Sequence, residues 1–111
     1  MIKNYIYSLK EFWPFYVRAH SQRGTRWLHF IGNTNLFLWL IASLLNRSII
    51  FLVLAVITSY AFAWIGHFFV EKNIPATFRY PLKAAICDMV MYYKMWCGEM
   101  DSEVKKYIPE T

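Results

Sequence analysis

Two uncharged runs separated by a single arginine constrain this chain more than any other feature. From Trp27 to Asn46 there are twenty residues without Asp, Glu, Lys or Arg, and from Ser48 to Val70 twenty-three more. At 1.5 Å per residue the first run makes about 30 Å of helix, the thickness of a hydrocarbon core. The join, Leu45-Asn46-Arg47-Ser48, leaves room only for an antiparallel helical hairpin. Spans are therefore predicted at 27–46 and 48–70. The first run also holds Gly32, Asn33, Thr34 and Asn35. Lipid cannot satisfy these polar groups, so they are expected to face protein.

The rest of the composition agrees. Of 111 residues, 58% are apolar and only 17% charged. A soluble domain is nearer half apolar and a quarter charged. The expectation is an all-α membrane protein with a single membrane domain over residues 1–111. It is a two-span transmembrane hairpin flanked by N- and C-terminal amphipathic interfacial helices, at 1–19 and 82–97. Ile2, Tyr5, Ile6, Leu9, Phe12, Trp13 and Tyr16 have near-helical spacing. Ser8 and Glu11 have capping-box spacing, and Pro14 would kink a continuous helix. A polar, basic connector is expected at 17–26 and an ordered loop at 71–81. Leu82, Ala85, Ile86, Met89, Val90, Tyr93 and Trp96 mark the second amphipathic helix, ending near Gly98. The last dozen residues are expected to fray. No cleaved signal peptide is expected at the N-terminus.

The formal charge is +5. Five Lys and Arg precede the first span, one lies in the turn, and six follow the second span. The positive-inside rule then puts both termini in the cytoplasm and the turn outside. Basic residues occur singly among bulky apolar ones, so the expected partner is the lipid bilayer and not nucleic acid. Cys87 and Cys97 do not form a Cys-x-x-Cys pair. Both are expected to be reduced, small apolar fillers.

The chemistry-bearing residues are three histidines. Folding the hairpin about residues 46 and 47 sets residue 29 opposite residue 64 or so. His29 and His67 then lie at similar depth on adjacent helices, near the cytoplasmic face. Glu71 follows His67 by four residues, on the same helical face. His20 can fold back over the same end. Neutral imidazoles with one carboxylate suit iron(II), zinc or manganese, and an open site of this kind could activate dioxygen or water. The plainer reading is that these are interfacial, hydrogen-bonded histidines and a solvated glutamate. No HExxH-type signature, nucleophile elbow or phosphate loop occurs.

Two blocks carry a resemblance. Phe12-Trp13-Pro14-Phe15-Tyr16-Val17-Arg18-Ala19-His20 followed by Arg26-Trp27-Leu28-His29-Phe30-Ile31-Gly32, and later Gly66-His67-Phe68-Phe69-Val70-Glu71-Lys72-Asn73-Ile74-Pro75-Ala76, resemble the fungal 2-hydroxy fatty acid dioxygenase family over about residues 10 to 90. The resemblance implies an Fe(2+)-dependent membrane enzyme that shortens 2-hydroxy fatty acids by one carbon with dioxygen. It implies iron ligation by His20, His29 and His67, with Glu71 as a fourth ligand or an orienter of the others. Arg26 or Arg79 could hold the substrate carboxylate. The chain is shorter than the fungal enzymes and is similar to the compact bacterial members, which implies a bacterial inner membrane. Fewer spans imply a more open pocket or a homodimer that completes it. Cys87 stands before Asp88 where the family pattern has Gly. The alternative is a non-enzymatic scaffold or lipid-binding protein whose histidines are packing residues.

Overall fold

The computed structural model describes residues 5–108. Ile2 and Lys3, which entered the periodicity and charge readings, lie outside them. The described residues hold five α-helices and no strand. They are α1 (Leu9–Ala19), α2 (Arg23–Asn46), α3 (Ile49–Ile65), α4 (Pro81–Trp96) and α5 (Met100–Tyr107). α3 continues into a π-helical segment, Gly66–Glu71, and a 3₁₀ turn covers Ala76–Phe78. Among the described residues two compact units result: 22–75, and 5–21 together with 76–108.

The first unit is the hairpin. Both arms are long and apolar enough to span a membrane. Only 17% and 11% of their most apolar windows are buried, unlike the core helices of a soluble domain. The outward residues are apolar, with Leu44 and Leu45 each 80% exposed. Arg47 ends α2 in the left-handed region (φ 50°) and its N–H reaches the Ser43 carbonyl. Ser48 then caps α3, accepting from the Phe51 N–H. The arms approach closely where glycine permits it. A Cβ on Gly32 would lie 3.0 Å from the Phe62 Cβ and 3.1 Å from the Ser59 carbonyl oxygen. The polar cluster of the first arm faces protein as expected. Gly32 and Asn33 are buried, and the Asn35 amide donates to the Thr58 hydroxyl, which donates to the Leu54 carbonyl. α2 begins four residues before Trp27, so Arg23 to Arg26 belong to its first turn, and the connector shrinks to residues 20–22.

The second unit packs α1, α4 and α5 together. α1 is N-capped by Ser8, whose hydroxyl accepts from the Glu11 N–H, and it carries Pro14 in its interior. Its face of Phe12, Tyr16 and Val17 is fully buried on protein. Ala84, Cys87 and Met91 of α4 join that core, with Tyr80, whose hydroxyl accepts from the Ile6 N–H. The predicted stripe of α4 lies on the opposite side: Leu82, Tyr93 and Trp96 are all strongly exposed. Two corrections follow. α4 ends near Gly98 as expected, but the last dozen residues, as far as they are described, do not fray. Met100, Val104, Tyr107 and Ile108 form a stripe that packs on the core, so α5 forms. Cys97 is exposed and only Cys87 is a buried filler, though both thiols are free.

Candidate metal centre

His29 and His67 meet in the hairpin. Their rings lie 5.0 Å apart between centroids, edge to face at 88°, and both residues are buried. The approach is set by small residues beside them. A Cβ on Gly66 would come within 3.1 Å of the Thr25 methyl, and the Thr25 hydroxyl donates to the Gly66 carbonyl. His29 sits one turn after Thr25, and its Nδ1 lies 2.9 Å from the Thr25 carbonyl oxygen. A carbonyl only accepts, so Nδ1 carries the proton and the ring's lone pair is on Nε2.

His67 reaches the same state by another route. It lies in the π-helical segment, whose end is fixed by the Lys72 N–H and the Asn73 N–H, both donating to the His67 carbonyl. Lys72 takes the left-handed conformation (φ 62°) that turns the chain back. The Asn73 side chain then faces the ring, and its Oδ1 accepts from the His67 Nδ1 at 2.8 Å. Asn73 was not singled out in the sequence. Seeking an oxygen partner for each histidine, just past the helix end, would have found it.

Glu71 is tied to a different partner. Its Oε1 accepts from the backbone N–H of Gln22, the N-cap residue of α2. α2 has no acidic residue in its first turn and no side-chain cap of its own. Glu71 supplies the negative charge that the helix N-terminus favours. Arg26 is buried in that same first turn.

His20 belongs to the other unit, at the C-cap of α1. It is buried, its Nδ1 lies 2.7 Å from the Tyr16 carbonyl oxygen, and its ring stacks on Tyr16 with centroids 4.0 Å apart. The same reasoning places its lone pair on Nε2. Tyr16 in turn donates its hydroxyl to Asp88 of α4. Burial pushes the Asp88 carboxyl up to about 7. Arg79 is exposed, with its guanidinium over the Tyr5 and Tyr80 rings at 5.8 and 5.5 Å.

A family model described as 2-hydroxy-palmitic acid dioxygenase Mpo1-like matches residues 6–100. The chain belongs to the Mpo1-like family. Searches of curated proteins and of solved structures return no match. The family description names a dioxygenase and a hydroxylated fatty acid. Within the hairpin of this Mpo1-like chain, the buried His29 and His67 offer ring nitrogens of the kind a metal ion takes.

Proposed function

We propose that this chain is an integral membrane dioxygenase-like protein that holds iron(II) through His20, His29 and His67 and acts on 2-hydroxy fatty acids. The observation that carries the reading is the shared state of the three buried imidazoles. Each has Nδ1 against an oxygen acceptor, so each would present the lone pair of Nε2. Oxygen partners on the far nitrogen are what orient metal-binding histidines. Covalent reach supports the inclusion of His20. It lies two residues before Gln22, about 7 Å of chain at most, and Gln22 is fastened to Glu71 at the end of the segment that carries His67.

Three neutral ligands leave a divalent ion its full charge, which suits a substrate carrying a carboxylate beside a hydroxyl. Bound iron(II) would supply the chemistry that activates dioxygen. The protein's part is to bind and orient. Arg26, buried three residues before His29, would hold the substrate carboxylate, with Arg79 as the second candidate. Glu71 would fix the segment bearing His67 and act as an orienter. The exposed apolar faces of α2 and α3 would lie in lipid, which delivers the acyl chain, with both termini cytoplasmic.

The test is anaerobic iron(II) loading in detergent or nanodiscs, followed by metal analysis and product analysis on a 2-hydroxy fatty acid. The expected result is one ion per chain and an acid one carbon shorter, with both lost in His67→Ala. Full activity in that variant would end the proposal. A wild-type protein that takes up no iron, zinc or manganese would favour a scaffold.

A further inference from the structure

We infer that Asp88, acting through Tyr16, is a positioning residue for His20; this rests on the reading of His20 as a metal ligand. Asp88 lies on α4 with its carboxylate turned to the inner face, where it accepts from the Tyr16 hydroxyl. Tyr16 is completely buried. A buried hydroxyl must keep a partner, because leaving it without one is costly. Asp88 therefore fixes where the phenol ring can lie.

That ring is the surface on which His20 rests. The two rings stack at 4.0 Å between centroids and 25° between planes. The Tyr16 carbonyl takes the His20 Nδ1–H, but the backbone of α1 sets that oxygen. The stacking depends on the Tyr16 side chain, and so on Asp88. Tyr16 is also steadied from the other side of the sequence: its ring stacks on Trp13 at 14°, and the Trp13 indole N–H donates to Glu103 of α5 at 2.7 Å. One line of contacts from α4 and α5 thus sets the plane of an imidazole at the end of α1.

The experiment compares Asp88→Asn, Asp88→Ala and Tyr16→Phe in the full chain in detergent. It has two readouts: the proton shifts of the His20 imidazole in metal-free protein, and cobalt(II) affinity with its visible spectrum. A ring stacked at 4 Å shifts the His20 protons upfield. Asp88→Asn keeps an acceptor, so shift and affinity should stay within about threefold of wild type. Asp88→Ala should lose the upfield shift and weaken cobalt about ten- to a hundredfold, the range seen when a ligand's orienting partner is removed. Tyr16→Phe keeps the ring but frees it from Asp88, so its shift should also move; it decides the matter if Asp88→Ala does not fold. Wild-type shifts in both Asp88→Ala and Tyr16→Phe overturn the inference. If wild-type protein binds no metal, the functional proposal falls, and the His20 shifts still decide whether Asp88 positions the ring.

Discussion

Gly32→Ala should destabilise the hairpin where Gly24→Ala does not. Both glycines lie on α2, and alanine is the better helix former by up to about 1 kcal/mol. Propensity therefore favours both changes, and packing must supply the difference. At Gly32 the new methyl would meet the Phe62 Cβ at 3.0 Å and the Ser59 carbonyl oxygen at 3.1 Å. Neither can swing aside, since one is the backbone and the other is bonded to it. The arms would have to part by roughly 0.5 Å, a gap that forfeits a quarter or more of each neighbouring dispersion contact. Overpacking of this kind costs about 1–3 kcal/mol, so a net loss of about 1–2 kcal/mol is expected. At Gly24 the methyl meets only the Val70 side chain, at 3.3 and 4.0 Å. That variant should stay within about 0.5 kcal/mol of wild type, since a terminal methyl of Val70 need give only slightly. The assay is reversible unfolding in mixed micelles, followed by helical circular dichroism. Gly32→Ala as stable as Gly24→Ala would refute the close crossing of the arms. The arms also carry His29 and His67, so the same variant should weaken metal binding.

Three further outcomes are expected. Asn73→Ala removes the oxygen on His67 Nδ1 and should weaken metal binding about ten- to a hundredfold, measured by chelator competition; unchanged affinity would show the contact to be incidental. Glu71→Gln keeps an acceptor for the Gln22 N–H but removes the charge at the start of α2, so unfolding should report a loss of about 0.3–1 kcal/mol that shrinks with added salt. Asp88 should make stability fall as pH rises. Its folded value of about 7 lies above the ordinary 3.8, so the native state holds a proton that the unfolded chain releases. The stabilisation is complete below about pH 4 and is lost between there and about pH 7, on the order of 4 kcal/mol in all. Tyr16 and Cys87 beside it are pushed upward and stay neutral across that window. Asp88→Asn should flatten the slope, and an unchanged slope would assign it to other groups.

The hairpin was legible because lipid imposes a long, simple pattern. Two uncharged runs and one arginine set the register closely enough to bring His29 to His67. The ends of the elements were less legible. Arg23 to Arg26 read as a connector because charge marks where an apolar span stops, while the helix itself continues until its hydrogen bonds run out. α5 was hidden by its polar composition, since Met100, Val104 and Tyr107 show a stripe only once a core exists to receive it. On α4 the bulky residues drew attention to the exposed face. The buried face is built of Ala84, Cys87 and Met91, with Asp88 turned inward beside Cys87; of these only Met91 is large, so the periodic signal is weak. Glu71 stood correctly beside His67 in sequence, but its bond to Gln22 depends on a backbone N–H left over at the start of another helix, which no side-chain spacing reveals.

The three histidines show why a π-helical segment sits at the end of α3. His20 and His29 each use the carbonyl four residues back, that of Tyr16 and that of Thr25. His67 lies in the π-helical segment, and its partner comes from beyond the turn. Widening the last turn leaves the His67 carbonyl to accept from Lys72 and Asn73 together, and that places the Asn73 side chain on the ring. An ordinary α-helical ending would hand this carbonyl to Glu71, whose carboxylate here is committed to α2. The irregular segment thus lets Glu71 cap one helix while Asn73 orients the histidine of the other. Within its own unit each ring already has Nδ1 against an oxygen, so the proposed ion would meet oriented imidazoles, and preorganisation of this kind favours affinity.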